Sequence, residues 1–140
     1  MTLNLADAGL SANHKLDNFW KILDERLELC KEALMLRHES LKGTLADVSP
    51  IHWRYGALAR LESGKPIDKL LENGYSTISL GYIGLYECVV ALIGQTHTSK
   101  EGNELATKIM ERLRSACDSW KEETGLGFGL YGTPAESTTY

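Results

Sequence analysis

The chain has 140 residues, 43% hydrophobic and 24% charged, which places it in the range of one globular domain with a core. Its net charge of −4 lacks the basic excess that phosphate or lipid headgroup neutralisation requires, which argues against a nucleic-acid or membrane-surface binder. Three widely spaced cysteines, Cys30, Cys88 and Cys117, with no signal peptide or transmembrane run, point to a cytoplasmic protein with reduced thiols.

Thr2 to Leu5 reads as a fragment of a strand, and the Ala-Asp-Ala-Gly-Leu-Ser stretch after it carries little pattern. From Leu16 the apolar residues Leu16, Trp20, Leu23, Leu27, Cys30 and Leu34 recur at spacings of four and three, with Leu41 seven beyond Leu34. This predicts a long amphipathic helix ending near Gly43. A coiled-coil seam would use the same stripe but needs more sustained heptads, so the helix is expected to pack against a sheet. Val48 to Tyr55 reads as a loop with at most a short strand. Arg54 to Leu61 and Pro66 to Leu71 read as two brief helices separated by Ser-Gly.

Within Gly74 to Tyr82, Thr77, Ile78 and Leu80 supply strand propensity between flanking glycines, and a buried strand is expected. Leu85 to Ile93 is apolar almost all round, which fits a short helix covered on several sides. Thr98 to Glu101 forms a capping box, and Leu105, Ile109, Leu113, Ala116 and Trp120 then mark a helix closed by Gly125. Leu126 to Tyr131 makes a glycine-laced strand. Strands alternating with helices in this way form an α/β layer with parallel neighbours, because parallel strands need helical crossovers. The cysteines fall in apolar stripes or runs and are expected to be core thiols.

Thr133 to Glu136 is a second capping box with Pro134 at the first helical position, yet the chain supplies only four residues after it. A helix start without a helix body predicts that residues 1–140 are a single segment of a longer protein, truncated at both ends. A strand running into Gly132-Thr-Pro and a helix start would present unpaired backbone N–H groups beside the Thr133 and Ser137 hydroxyls. That arrangement is a phosphate cradle or an ordinary helix start, and the Glu136 carboxylate opposes an anion unless capping engages it.

Elsewhere, Ser63-Gly-Lys-Pro66 lacks the flanking residues of a phosphate-binding loop and reads as a turn. His14, His38, His52 and His97 are isolated, so no metal site is expected in the segment. Order alone suggests no nucleophile–base arrangement. Glu87, the one acid within Tyr82 to Ile93, is either a cleft carboxylate or a helix edge reaching water.

Three stretches together resemble the catalytic subunit of the anaerobic (class III) ribonucleoside-triphosphate reductases. They are Ser49-Pro-Ile, Asn73-Gly-Tyr-Ser-Thr-Ile-Ser-Leu-Gly-Tyr-Ile-Gly-Leu-Tyr-Glu87 and Gly129-Leu-Tyr-Gly-Thr-Pro-Ala-Glu-Ser137. Thr2-Leu-Asn-Leu5 is similar to the family's Thr-Ile-Asn-Leu-Pro segment, with Ala6 in place of the proline, and Phe19 to Arg26 is similar to the helix that follows. The resemblance implies a helix-rich partial segment of a ten-stranded α/β barrel of the glycyl-radical enzyme type, with short parallel strands. It implies that Thr133, Pro134, Ala135, Glu136 and Ser137 bind the phosphates of a ribonucleoside triphosphate and that Asn4 faces the ribose.

The same resemblance places the catalytic residues outside this segment: the thiyl-radical cysteine before Thr2, and the radical glycine and a cysteine-rich zinc site towards the family's C-terminus. None of Cys30, Cys88 and Cys117 matches a catalytic position. The ATP and dNTP effector sites are likewise implied to lie elsewhere in a homodimeric parent, which a radical-SAM enzyme activates. The segment by itself is then expected to be inactive, and any nucleotide binding weak. Two other readings remain open at this point: a self-standing, non-catalytic nucleotide-binding or interaction domain of the same fold, and a formate-lyase-like relative, which the Thr-Pro-Ala-Glu loop disfavours.

Overall fold

The computed structural model describes residues 1–134. Strands β1 (Thr2–Asn4), β2 (Thr77–Ile83) and β3 (Gly127–Gly132) form a parallel sheet in the order β1-β2-β3. Asn4 pairs with Ile83 and Tyr82 with Gly132, so the three carboxyl ends share one edge of the sheet. Helices α1 (Leu5–Ser11) and α2 (Leu16–Leu41), followed by an irregular excursion holding the one-turn α3 (Pro50–Trp53), carry the chain from β1 to β2. Helices α4 (Leu85–Ile93) and α5 (Lys100–Thr124) carry it from β2 to β3.

Side chains alternate across a strand, and burial here follows that alternation. Leu3, Leu80 and Phe128 are buried against the helices in one core with Phe19, Leu23, Val89, Ile109 and Leu113. Trp120 of α5 meets Phe128 of β3 edge to face, with ring centroids 5.6 Å apart. The alternate residues Thr2, Asn4, Thr77, Ser79 and Tyr131 stay exposed on the opposite face.

The long helix expected from Leu16 forms as α2, but its buried face is centred on Phe19, Leu23, Leu27, Leu34 and His38. Trp20 and Cys30 lie half-buried at its flank, while Leu16 and Leu41 are exposed. Helix α5 buries all five expected apolar positions and ends at Gly125. Its N-cap is Ser99, one residue later than expected: the Ser99 hydroxyl accepts from the Gly102 N–H at 3.0 Å, and Thr98 instead bonds Thr96 at 2.7 Å. No glutamate stands three residues after Ser99, so the cap has only one arm.

Helix α1 occupies the stretch that showed little pattern. Asn4 Oδ1 accepts from the Asp7 N–H at 3.1 Å and caps it, while Leu5, Ala8, Gly9 and Ala12 form its buried side. The residues are small because α1 lies tight on α4: a Cβ on Gly9 would come within 3.0 Å of the Cys88 Cα. Glu87 is exposed, at a helix edge reaching water.

The helix expected over Arg54 to Leu61 does not form, and Pro66 to Leu71 yields only a short 3-10 turn at Asp68–Leu70. Val48 to Tyr55 holds α3 in place of a loop or strand. The Leu61 N–H reaches back to the Trp53 carbonyl at 2.7 Å, closing a loop whose tip leaves Leu58 85% exposed. Ala46, Leu61, Ile67, Leu70 and Leu71 make a second, smaller core beneath it. Asp47 ties this unit together, accepting from the Gly64 N–H at 2.5 Å, the Ser63 hydroxyl at 2.8 Å and Arg54 at 2.9 Å. Ser63-Gly-Lys-Pro66 is thus a turn held by a carboxylate.

Ile109 is fully buried in the main core, so Ile109→Ala is expected to cost about 2–5 kcal/mol, read as a lowered midpoint in denaturant unfolding. The Gly64 N–H, then Ser63 and Arg54, hold the Asp47 carboxyl below its ordinary value of 3.8. A lowered carboxyl pKa contributes stability above the unfolded value and loses it as pH falls through the folded one. Hydrogen exchange at the Gly64 amide should therefore show protection that fades in acid, below 3.8, and that is absent at every pH in Asp47→Ala.

Candidate functional site

Each strand passes almost directly into a helix start at its carboxyl end. Asn4 ends β1 and caps α1; Gly84 follows β2 and stands at the N-cap of α4 with φ 76°. A Cβ on Gly84 would lie 2.8 Å from the Ala6 Cβ, so the two helix starts are in contact there. Beyond β3, the Thr133 N–H donates to the Tyr82 carbonyl at 3.0 Å and extends the ladder by one residue. Asn4 and Thr133 thus reach the same edge on the two strands flanking β2, with Pro134 exposed beside Thr133. Parallel α/β sheets bind ligands outside this edge.

The geometry refines the expected donors. Thr133's N–H is committed to Tyr82 and proline has none, so neither described loop residue offers a free backbone N–H. What Thr133 does offer is its hydroxyl. Ala135, Glu136 and Ser137, the rest of the expected set, and the helix that Thr133 would cap, lie outside the described residues.

Asn4's amide is oriented by its cap: Oδ1 must face the Asp7 N–H, and Nδ2 has no hydrogen-bond partner among the described residues. Arg26 of α2 buttresses this corner, pairing with Asp7 at 2.6 Å and donating to the Asn4 carbonyl at 3.5 Å.

Two residues that the sequence reading did not single out also stand here. Thr2 Oγ1 lies 3.1 Å from Thr133 Oγ1, and the contact passes over Gly81 of β2. A glycine inside a strand marks a bulge or a close approach, which is the signal by which Gly81 can be found.

A cavity of about 800 Å³ lies elsewhere. It lies between the end of α2, the excursion and the amino-terminal half of β2, lined by Arg37, His38, Trp53, Tyr75 and Ser79 among others, and Asn4, Thr133 and Pro134 do not line it. His38, 6% exposed, is the buried polar residue among them. Among the described residues, no group of three or more His, Cys, Asp or Glu is placed to hold a metal ion, and no helix is long and apolar enough to cross a membrane.

Fold and edge together define a parallel α/β protein with a candidate site at the carboxyl ends of its strands. The family model for anaerobic ribonucleoside-triphosphate reductase matches residues 1–140, and the chain belongs to that family. It is 45% identical over 141 residues to the anaerobic ribonucleoside-triphosphate reductase of Escherichia coli strain K12, covering 98% of this chain and 20% of the relative. It is 37% identical over 145 residues to that of Enterobacteria phage T4, covering 100% of this chain and 22% of the relative. The chain thus spans about a fifth of the length of the curated relatives it matches. Its fold is similar to the crystal structure of the anaerobic ribonucleotide reductase from Thermotoga maritima with citrate in the active site. That match has a TM-score of 0.66 and 22% identity, and covers 96% of this chain and 24% of that one.

All three cysteines are free; Cys88 and Cys117 are buried and Cys30 is half-buried beside the core. Burial pushes the Cys88 thiol up to about 12, only partly opposed by its hydrogen bond with the Gly9 backbone, and raises Cys30 and Cys117 as well. Since the thiolate is the nucleophile, iodoacetamide at about pH 8 should spare Cys88 in the folded protein and label Cys30 first. In denaturant all three should react alike, as mass spectrometry of the labelled peptides would show.

Proposed function

We propose that this chain forms part of the catalytic barrel of an anaerobic ribonucleoside-triphosphate reductase, an oxidoreductase that reduces ribonucleotides to deoxyribonucleotides by radical chemistry at the ribose 2′ carbon. One observation carries the reading: within a chain of this family, Asn4 and Thr133-Pro134 reach one carboxyl edge of a parallel sheet. Thr133, with Pro134, Ala135, Glu136 and Ser137, holds the substrate phosphates, and Asn4 presents its Nδ2 to the ribose. Phosphates and sugar of one nucleotide are then gripped from the two strands flanking β2.

The three strands belong to a ten-stranded barrel whose remaining strands cover the open sheet face. Parallel sheets are normally covered on both faces, and the exposed Thr2, Thr77, Ser79 and Tyr131 side of this one supports that reading over a self-standing binding domain. The thiyl cysteine, the glycyl radical, the zinc site and the ATP and dNTP effector sites lie in other parts of the reductase. It works as a cytoplasmic homodimer activated by a radical-SAM enzyme; the free thiols and the lack of a spanning helix among the described residues fit that compartment.

In this arrangement the chain's own residues bind and orient. Thr133 donates to a phosphate oxygen, Asn4 fixes the sugar, and the Asp7–Arg26 pair keeps Asn4 in place. In the full-length reductase subunit, Thr133→Ala should raise KM for ribonucleoside triphosphates by about tenfold, the worth of one hydrogen bond to a charged group. An unchanged KM would overturn the phosphate assignment. Deoxyribonucleotide formation by residues 1–140 alone, given activating enzyme and reductant, would overturn the assignment of the radical machinery to the rest of the protein.

A further inference from the structure

We infer that Thr2 is a positioning residue for substrate binding: across the bare backbone of Gly81 it holds the Thr133 hydroxyl so that the proton of Thr133 is left for the substrate phosphate. The inference rests on the phosphate-loop reading above and adds to it a residue from the far strand of the sheet, β1.

Thr2 is in β1 and Thr133 directly follows β3, two strands that do not pair with each other. β2 lies between them, and two strand spacings amount to about 9–10 Å of backbone separation. Their hydroxyls nevertheless lie 3.1 Å apart. They meet because Gly81, the register partner of both Thr2 and Tyr131, has nothing on that face. A Cβ on Gly81 would collide with Thr133 Oγ1 and stand 3.0 Å from the Tyr131 ring and 3.1 Å from the Met1 carbonyl. Gly81 is not among the glycines with positive φ, so its backbone is open to any residue. Space, and not conformation, is what demands glycine there.

Each hydroxyl has one proton and can accept as well as donate. If Thr133 donates to Thr2, its proton faces away from any ligand. If Thr2 donates to Thr133, the Thr133 proton is free to turn to an anion, and the incoming bond from Thr2 polarises it. A phosphate at the edge selects the second arrangement. Because the Thr133 N–H is already held by Tyr82 and Pro134 has none, this hydroxyl is the donor that the described part of the loop supplies. Pinned by its N–H to β2 and by its side chain to β1, Thr133 has its rotamer set before substrate arrives, so less ordering entropy opposes binding.

The test uses the full-length reductase subunit and the four ribonucleoside triphosphates as substrates, measuring KM and kcat separately, with thermal unfolding as a check on the fold. Thr2→Val keeps the shape and removes the hydroxyl; it should raise KM about three- to tenfold, one hydrogen bond's worth, with the effect confined to KM. Thr2→Ser should restore the original value. Thr133→Val should raise KM at least as much, and adding Thr2→Val to it should change nothing further, because the two act through one bond. Gly81→Ala should raise KM by displacing Thr133, even with Thr2 intact.

If Thr133→Val leaves KM unchanged, the phosphate-loop reading itself fails. A raised KM in Thr133→Val beside a normal KM in Thr2→Val, or additive effects in the double variant, would overturn the inference about Thr2 alone. So would a Thr2→Val variant with lowered melting temperature and lowered kcat that Thr2→Ser fails to rescue, since that pattern marks a merely structural contact.

Discussion

Parallel pairing is the constraint on which the rest of this structure depends. A tight turn cannot join two parallel strands, so each step from one strand to the next has to leave the sheet and return along its length. Here both returns run through helices packed on one face, α1 and α2 before β2, α4 and α5 before β3. Two consequences are forced together. One face of the sheet is filled with Leu3, Leu80 and Phe128, and all three carboxyl ends come to the same edge. The candidate site is that edge, and its position follows from the connectivity before any side chain is considered.

What the side chains decide is how closely the elements at that edge approach. Gly9 lets α1 lie on α4, Gly84 turns the chain with positive φ against Ala6, and Gly81 leaves the gap between Thr2 and Thr133. Three glycines thus remove bulk where these elements meet. The Asn4 cap serves two ends at once: it satisfies an orphan N–H of α1 and, in doing so, orients the amide that faces out from the edge. Structure and candidate function share the same hydrogen bond.

Much of this was legible in the sequence wherever a long periodic pattern was at work. The α5 stripe from Leu105 to Trp120 is buried as spaced, and the α2 stripe is buried at Leu23, Leu27 and Leu34 while its ends at Leu16 and Leu41 stay exposed. Asn4 and Thr133, which the family motifs pick out, stand at the carboxyl edge, and what they bind there is the proposal. Helix α1 escaped because its burial uses Ala and Gly, which carry no hydrophobic signal of their own, and because the cap that starts it is Asn4, read as strand. Over Arg54 to Leu61 the propensity for helix lost to the Asp47–Arg54 pair and the Trp53–Leu61 bond, which lie beyond the three- and four-residue reach of a helical pattern. His38 is buried through its place on the α2 face, and only the excursion folding over α2 makes that visible.

The chemistry of the edge differs from what an anionic substrate would suggest at first sight. The chain carries net negative charge, and the cation at this corner, Arg26, is committed to Asp7 and to the Asn4 carbonyl. Among the described residues, the groups to which the proposed reading gives the substrate are then neutral: the Thr133 hydroxyl, backed by Thr2, and the Asn4 amide. Neutral donors held rigid suit a substrate that must be placed accurately and then released. A fixed lysine would gain affinity for any polyphosphate without telling one sugar orientation from another, because a point charge has no preferred direction, whereas a hydroxyl and an amide do. Directional donors on both flanks of β2 can hold phosphate and ribose at a set separation, and that separation is kept by the register of the sheet.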